Sequence, residues 1–267
     1  MSVVEKLHVA VLMGGLSAER DVSLSSGAGV ADALESLGHR VTRIDMDRNL
    51  ALVLDGVRPD VVFNALHGTP GEDGRLQGYF DMIRMPYSSC GMMVSALTFN
   101  KYICNQYLRN FGVNVAHSIH LFKGEEITDD EVISRLGLPI FVKPNDGGSS
   151  FGVTKVKTRE DIQPAIAKAF GEGKEVVLEQ FIAGTEVTCG CYKVTGKSVV
   201  FPLTEVVTPN EFFDYDAKYN GQVDEITPAR LSPELTQTIQ QETARIYDIL
   251  GAQGIIRIDY IITPEGT

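Results

Sequence analysis

Short apolar runs alternate with helix-like stretches over the first part of the chain. The runs HVAVLM at 8–13, HRVTRID at 39–45 and DVVFNAL at 60–66 have the length and composition of strands. Between the first two, apolar residues recur at helical spacing up to a glycine at 38, namely Val22, Val30, Leu34 and Leu37. This order predicts a parallel sheet with helices on its faces, and in such sheets ligands bind at the carboxyl ends of the strands.

The pattern changes after a helix predicted over about 96–111. PIFVKP, GVTKV and EVVLEQFI predict short strands around a helix near 159–170, which indicates a compact α+β unit. VTCGCYKV and SVVFPLTEVV flank the tripeptide TGK at 195–197, which predicts an antiparallel hairpin. A last long helix, capped by Ser232, is predicted to run up to Gly251.

The final strand, GIIRIDYII, places two charged side chains on one face. Side chains alternate between faces along a strand. Arg257 and Asp259 therefore share one face with Ile255 and Ile261, and the opposite face carries Ile256, Ile258, Tyr260 and Ile262. Two interpretations stay open: a structural ion pair, or a cation for developing negative charge beside an oxygen ligand for magnesium.

The composition is that of a globular protein, with 43% hydrophobic and 22% charged residues. A signal-peptide pattern and a membrane-length apolar segment are both missing from the sequence, so we expect a cytoplasmic protein that spans no membrane. The four cysteines are too few for a disulfide scaffold, and the two that are close in sequence have no histidine near them. Packed or free thiols are therefore favoured over a zinc site for Cys90, Cys104, Cys189 and Cys191.

The formal net charge of -11 argues against binding to nucleic acid, which is driven by cationic surface. It also means that a site for an anionic substrate must be built locally, from lysines, backbone N–H groups or a divalent metal. The stretch KPNDGGSSFGV at 143–153 suits that need, because Lys143 ends a predicted strand and a glycine- and serine-rich loop follows. A slack surface loop is the alternative.

The stretch GGLSAER after the first strand lacks the G-x-G-x-x-G pattern and is weak evidence for a nucleotide. A glycine turn with Ser17 capping the following helix is favoured from this stretch alone. Glu19 in the first turn of that helix and His67 at a neighbouring strand end are expected to converge on one crevice. A carboxylate and an imidazole there suit a small molecule with an ammonium group better than a dinucleotide.

Seven segments together carry a resemblance that no single one would carry. They are GGLSAERDVS, LHGTPGEDG, TFNKY with Lys101, KPNDGGSSFGV, EQFIAGTEVT, DYDAKY and IRIDY. With these segments, in this order, the chain closely resembles the D-alanine–D-alanine ligases of the ATP-grasp superfamily over its whole length. The resemblance implies an α/β protein with the ATP-grasp fold: a Rossmann-like amino-terminal domain over 1–97 and two α+β domains, over 98–181 and 182–267, that clamp ATP.

The resemblance implies a set of contacts with ATP. Lys101 and Lys143 match the lysines that contact the phosphates, beneath a loop whose backbone includes Gly148 and Ser150. The other implied contacts are Glu179 with adenine, the backbone near Phe181 and Ile182 with the same base, and Glu186 with the ribose hydroxyls. Without the resemblance, Glu186 would be interpreted as a solvated charge.

The resemblance also implies the catalytic residues. Glu19 matches the acid that positions the ammonium of the first D-alanine, and His67 lies beside that substrate. The other implied roles are those of Ser149 and Tyr219 in closing the site onto Glu19, Lys218 at the transferred phosphoryl group, Arg257 at the oxyanion, and Asp259 as a ligand of Mg²⁺ or Mn²⁺.

The implied reaction joins two D-alanines, with ATP, through an acylphosphate, for peptidoglycan precursor synthesis. A tyrosine at 219 favours D-alanine over D-lactate as the second substrate, and the family implies a homodimer. Two alternatives stay open: another ATP-grasp ligase that joins a different carboxylate and amine, and a non-catalytic nucleotide-binding chain.

The sequence departs from the family pattern after Thr267. The family continues there with a strand that carries a glutamate and an asparagine for the magnesium site, and with a glycine-containing segment for the oxyanion and second-substrate pockets. These features are missing from the sequence. One carboxylate, Asp259, is too few oxygen ligands to organise magnesium between phosphates, so a chain that truly ends at 267 is expected to show no ligase turnover.

Overall fold

The computed structural model describes residues 5–146, 152–207 and 224–266. The chain forms two compact units. Unit 1 comprises residues 1–98 and 252–255, and unit 2 comprises residues 99–251 and 256–267. The division into three domains at residues 97 and 181 stays a prediction.

The described residues of unit 1 form three strands, three whole helices and all but the last residue of a fourth helix. They are β1 (His8–Gly14), α1 (Arg20–Ser36), β2 (Arg40–Met46), α2 (Leu50–Val57), β3 (Val61–Asn64), α3 (Arg75–Ile83) and α4 (Met92–Phe99). The strands form the predicted parallel sheet in the order β2-β1-β3, in which Leu12 pairs with both Ile44 and Asn64. Because β1 is central, its residues from Ala10 to Leu12 are fully buried, as its unbroken apolar run predicts.

Helix α1 packs on the sheet through small side chains. Ser23, Gly27 and Ala31 are its buried residues, and they recur every four positions. A Cβ built on Gly27 would overlap the side chain of Met13 in β1. The apolar stripe of the sequence therefore predicted the helix correctly, but glycine, serine and alanine make its closest approach to the sheet.

The described residues of unit 2 form two antiparallel sheets, and the first has the strand order β4-β7-β5-β6. Its elements are β4 (Ser118–Phe122), α6 (Asp129–Leu136), β5 (Ile140–Pro144), β6 (Thr154–Val156), α7 (Ile162–Glu172) and β7 (Glu175–Gln180), and α5 (Lys101–Arg109) precedes them. Helices α6 and α7 cover one face of this sheet and form a core with Val142, Val176 and Leu178. Side chains along a strand point alternately to the two faces of the sheet, so the polar residues of these strands lie on the opposite face.

The second sheet has the order β11-β10-β8-β12, and β9 also pairs with β8. Its strands are β8 (Thr185–Val194), β9 (Lys197–Val200), β10 (Thr204–Val207), β11 (Asp224–Ile226) and β12 (Ile256–Ile262). The predicted β8–β9 hairpin is confirmed, with positive φ at both Thr195 (47°) and Gly196 (79°). Helix α8 (Pro233–Leu250) begins as predicted, because Ser232 Oγ accepts the Leu235 N–H at 3.2 Å.

The helix predicted over 96–111 is wrong as a single element. The chain forms α4 and α5 instead, separated by Asn100. Asn100 has an extended backbone (φ -86°, ψ 102°), and its side chain accepts the Ile103 N–H at 2.9 Å. It therefore acts as an N-cap that starts a new helix, and Lys101 becomes the first residue of that helix.

The four cysteines are free thiols, as predicted. Cys189 and Cys191 are buried in β8. In helix α5, burial raises the pKa of the Cys104 thiol to about 11. At neutral pH that thiol stays protonated, which makes it a poor nucleophile. Among the helices of the described ranges, none is long and apolar enough to cross a membrane.

A buried carboxylate ties β10 to the segment before α8. Glu205 is buried, and Arg230 donates to it from Nε (2.9 Å), Nη2 (2.6 Å) and the backbone amide (3.1 Å). The Arg230 guanidinium holds the pKa of the Glu205 carboxyl below its ordinary value. A group with a lowered folded pKa stabilises the fold above its unfolded pKa and loses that contribution as pH falls through the folded value.

We predict that Glu205→Gln destabilises the protein at pH 7 by about 1–3 kcal/mol, because three charge-assisted hydrogen bonds lose their ionised acceptor. The difference should shrink as the pH falls through the lowered folded pKa of Glu205, because the wild-type carboxyl then becomes protonated as well. Urea unfolding from pH 7 to pH 3 measures both effects. Glu225→Gln, at an exposed position on β11, is the control. A difference that stays constant with pH would contradict the role of the charge.

Candidate active site

Glu19 and His67 lie together in unit 1, beyond the carboxyl ends of β1 and β3. Ser17 Oγ links the two segments: it accepts the Glu19 N–H at 3.2 Å and donates to the His67 carbonyl at 2.8 Å. A Cβ built on Gly68 would lie 3.3 Å from Glu19 Oε2. The structure thus brings the predicted carboxylate beside the loop that carries the imidazole.

The same cluster corrects the predicted role of Ser17. Glu19, rather than Ser17, occupies the N-cap position of α1, and the Ser17 hydroxyl bonds the amide of Glu19 just before the helix begins. His67 Nε2 lies 3.4 Å from Ser26 Oγ on α1, and Glu72 Oε2 accepts the Gly68 N–H at 2.6 Å. The LHGTPGEDG loop is therefore held at both the imidazole and the glycine that follows it.

In unit 2, the polar side of the first sheet carries two of the residues implied in nucleotide binding, Lys143 and Glu179. We call this side the Lys143 face, and it consists of His120, Phe141, Lys143, Lys155, Glu175 and Glu179, which the strand register places on one face. Lys143 Nζ forms an ion pair with Glu179 Oε2 on the adjacent strand. Their side chains are only 22% and 14% exposed, so the pair is largely removed from solvent. Glu179 Oε1 accepts a hydrogen bond from Asn105 on α5 at 3.4 Å.

Four residues of the Lys143 face were missed in the sequence, namely His120, Phe141, Lys155 and Glu175, and two of them contact Phe181. Lys155 Nζ lies 3.9 Å from the centre of the Phe181 ring, a cation–π contact. The Phe141 ring lies 5.9 Å from the same ring. The two-residue period of PIFVKP and GVTKV could have placed Phe141 and Lys155 with Lys143, once the strands were paired. Ile182, the other expected backbone contact, is half-buried beside Phe181.

Lys101 begins helix α5 and reaches the end of strand β5. Its Nζ donates to the carbonyl of Asn145 at 3.1 Å, and its backbone N–H points to the same oxygen at 3.4 Å. Asn145 follows Lys143 by two residues, so the helix and the strand end bring both expected phosphate-binding lysines to one end of the sheet.

One face of the second sheet of unit 2 carries three more of the expected residues, Glu186, Arg257 and Asp259. Arg257 lies opposite Gly190, Asp259 opposite Thr188 and Ile261 opposite Glu186 in the register of β12 with β8. Glu186, Arg257 and Asp259 therefore share a face, and the predicted alternation along β12 is confirmed by its exposed and buried positions. Thr188, which the sequence did not single out, has a buried hydroxyl without a hydrogen-bond partner among the described residues.

The Arg257–Asp259 pair is a surface feature. Arg257 Nε lies 3.3 Å from Asp259 Oδ1, and the two side chains are 69% and 59% exposed. Exposed ion pairs contribute about 0–1 kcal/mol to stability. A structural ion pair thus forms, but it gives the fold little, and both charges stay accessible to a ligand.

Several expected residues lie outside the described ranges, namely Gly148, Ser149, Ser150, Lys218 and Tyr219. Within the part of the chain that is described, no three His, Cys, Asp or Glu side chains are grouped so that they could hold a metal ion. Asp259 offers one accessible carboxylate, which is a ligand that Mg²⁺ takes together with substrate phosphates and water.

Similar proteins were found by sequence. Residues 53–90 match the family described as D-ala D-ala ligase N-terminus, and residues 107–267 match D-ala D-ala ligase C-terminus. A D-alanine–D-alanine ligase of Parabacteroides distasonis is 64% identical, and the match covers 98% of this chain and 85% of that protein. One of Bacteroides fragilis is 55% identical, with coverage of 97% and 86%.

Solved structures are similar over the same extent. A D-alanine–D-alanine ligase from Bacillus anthracis has a TM-score of 0.84 at 32% identity, covering 97% of this chain and 83% of that one. A VanG D-Ala:D-Ser ligase from Enterococcus faecalis has a TM-score of 0.84 at 29% identity, covering 98% and 88%. The Bacillus anthracis ligase complexed with ATP has a TM-score of 0.82 at 29% identity, covering 97% and 82%. The predicted ATP-grasp fold is confirmed, and the chain belongs to the D-alanine–D-alanine ligase family.

Proposed function

We propose that this chain joins two D-alanines into D-alanyl-D-alanine, a peptidoglycan precursor, and converts ATP to ADP and phosphate. One observation carries the proposal: the match to a ligase of that name at 64% identity over 98% of the chain. The two clusters described above suit the same chemistry, since unit 1 offers an acid for an ammonium group and unit 2 offers lysines for a triphosphate.

The reaction needs ATP because a carboxylate is a poor acyl donor. The γ-phosphoryl group first moves to a carboxylate oxygen of one D-alanine, and the bond to the bridging oxygen of ADP breaks. The amine of the second D-alanine then attacks the carbonyl carbon and loses a proton, and the tetrahedral intermediate expels phosphate. The protein contributes alignment, charge stabilisation and exclusion of water.

Lys101 and Lys143 supply the positive charge for ATP in a chain whose net charge is -11. A lysine about 4 Å from a phosphate oxygen contributes on the order of 4 kcal/mol at an effective dielectric near 20, before desolvation. Distant surface carboxylates act weakly, because salt screens them beyond about 10 Å. Two lysines at one end of a sheet therefore outweigh the acidic surface locally.

ATP exchanges the Lys143–Glu179 ion pair for two contacts with the ligand. The phosphates take Lys143, and the amino group of adenine takes Glu179, with the backbone near Phe181 and Ile182 against the base. Glu186 takes the ribose hydroxyls from the neighbouring sheet. The ion pair aligns Lys143 and Glu179 before ATP arrives, which lowers the ordering cost of binding.

The first D-alanine is held in unit 1, where the Glu19 carboxylate takes its ammonium group and His67 lies beside it. Arg257 stabilises the oxyanion of the intermediate, Lys218 approaches the transferred phosphoryl group, and Ser149 and Tyr219 close the site. Mg²⁺ or Mn²⁺ would be held by Asp259 together with the ATP phosphates, and when bound it neutralises phosphate charge.

The fold alone does not decide the second substrate, because a D-Ala:D-Ser ligase of Enterococcus faecalis shares it. D-Alanine is supported by the tyrosine at 219 and by the relatives named above. We also propose a cytoplasmic homodimer, since ATP is supplied in the cytoplasm and unit 1 exposes Leu52, Met82 and Met93. Sedimentation that gives a monomer at micromolar concentration would remove the dimer from the proposal.

A panel of D-amino and D-hydroxy acids tests the function directly in the full-length protein. We expect ADP release with D-alanine alone, because the same molecule serves as acyl donor and as amine, and we expect D-alanyl-D-alanine as the product by mass spectrometry. When D-lactate or D-serine is added beside D-alanine, little D-alanyl-D-lactate or D-alanyl-D-serine should form. A larger rate with another pair would support a different ATP-grasp ligase, and ATP binding without turnover would support a non-catalytic chain.

We predict that Lys143→Ala weakens ATP binding by at least about tenfold, because the phosphates lose a charge held near them and the alignment that the ion pair gives Glu179 is lost. The fold should lose less, since Lys143 lies at the end of a strand and outside the apolar core. Calorimetric titration with ATP measures the affinity. Lys174→Ala removes the same charge from an exposed position and is the control. An unchanged affinity in Lys143→Ala would refute the phosphate role.

A further inference from the structure

Asn145 is fully buried, and all of its polar groups take part in hydrogen bonds. Its backbone N–H donates to the Glu175 carbonyl at 2.9 Å, and its side-chain Nδ2 donates to Glu175 Oε2 at 2.6 Å. Its Oδ1 accepts the Tyr102 N–H at 2.9 Å, and its carbonyl accepts Lys101 Nζ at 3.1 Å. One residue thus joins the ends of β5 and β7 to the first turn of α5.

Glu175 gathers the same elements from the other side. Its Oε2 accepts from Asn145 Nδ2 and, at 3.3 Å, from Asn100 Nδ2, and it lies 2.9 Å from His120 Nε2. The His120 ring in turn stacks on Tyr102, with ring centres 4.7 Å apart. The carboxylate therefore holds the N-cap of α5, the residue that follows β5 and a side chain of β4.

These bonds determine where the Lys101 ammonium lies. Lysine has four rotatable side-chain bonds and loses much rotamer freedom when it binds a phosphate. Here its ammonium is already held by the Asn145 carbonyl, and its helix is held through Tyr102 and Asn100. Binding to a group that is ordered in advance costs less free energy.

We infer that Asn145 and Glu175 are positioning residues for ATP: they hold the Lys101 ammonium at the end of β5 and thereby raise its affinity for the triphosphate. The inference rests on the proposed function, since it takes Lys101 as a phosphate contact. Stability alone explains the network poorly, because apolar groups of the same shape often replace buried polar networks without loss. The side chains of Asn145 and Glu175 act on the ammonium indirectly, because they fix the main-chain carbonyl of Asn145 that accepts it.

A double-mutant cycle in the full-length protein separates positioning from a merely structural role. The variants are Asn145→Ala, Lys101→Met and the two together, and calorimetry measures their ATP affinity. We expect Asn145→Ala to weaken ATP binding about tenfold and Lys101→Met to weaken it at least as much. The double variant should bind ATP no more weakly than Lys101→Met alone, because residues that act through one contact are not additive.

Two further readouts sharpen the test. Steady-state kinetics of Asn145→Ala should show a raised KM for ATP with a smaller change in kcat and in the KM for D-alanine, which is the pattern of lost ground-state binding. Thr128→Ala removes the N-cap bond of α6, from Glu131 N–H to Thr128 Oγ1 at 3.2 Å. That control variant should have a lower melting temperature and an unchanged affinity for ATP.

A conservative exchange offers rescue. Asn145→Asp alone sets two carboxylates against each other and should weaken ATP binding. Combined with Glu175→Gln, it reverses the direction of the side-chain hydrogen bond and keeps an oxygen for the Tyr102 N–H. The pair should therefore recover part of the ATP affinity that Asn145→Asp loses; recovery is incomplete because Glu175→Gln also sets an amide donor against Asn100 Nδ2.

The outcomes distinguish the inference from the proposed function. Unchanged ATP affinity in Lys101→Met means that the phosphate role of Lys101 fails. A loss in Lys101→Met that is additive with Asn145→Ala, or no loss in Asn145→Ala, overturns the positioning role and leaves that of Lys101 standing. Should Asn145→Ala not fold, Asn145→Ser passes through the same cycle. If neither folds, Asn145 is required for folding, and the positioning role is overturned as well.

Discussion

The alternation of side chains along β5 and β7 controls what the first sheet of unit 2 can bind. Val142, Val176 and Leu178 must face helices α6 and α7, because a slip of one residue would expose the whole apolar set. The same constraint turns Lys143 and Glu179 to the opposite side. The hydrophobic core therefore determines the position of the charges on the Lys143 face.

Each lysine of this region has an oxygen or a ring as its partner. Lys143 meets a carboxylate, Lys101 a carbonyl and Lys155 an aromatic face. Half-buried charge is costly unless it is compensated, so these partners make it possible to gather cations on a sheet. An acidic protein can thus carry a local cationic site that its net charge conceals.

Much of the fold could be predicted from local signals. Three local patterns each predict the structure that forms: the apolar run of β1, the turn at Thr195-Gly196 and the cap at Ser232. The break at Asn100 was missed although asparagine is a preferred N-cap residue, and its contacts with Glu175 and the Ile103 amide decide for a cap. The contact with Glu175 depends on the strand order, which no local pattern contains.

For the site, the family motifs named the residues but not their contacts. Lys143 and Glu179 are 36 positions apart, and only the pairing of β5 with β7 makes them neighbours. His120, Glu175 and Asn145 lie in no motif that stands out. Their common feature is three-dimensional: each has a polar side chain that the fold buries wholly or in part and supplies with hydrogen-bond partners.

In the roles proposed for them, Lys143 and Glu179 would also discriminate between nucleotides. A bare phosphate or pyrophosphate could take Lys143, but it would leave the Glu179 carboxylate largely buried and with one partner fewer. Adenine would offer that carboxylate an amino group, whereas guanine presents a carbonyl oxygen at the same ring position and would be repelled. Under the proposed function, one lysine and one carboxylate on adjacent strands would thus select both for the presence of a base and for adenine over guanine.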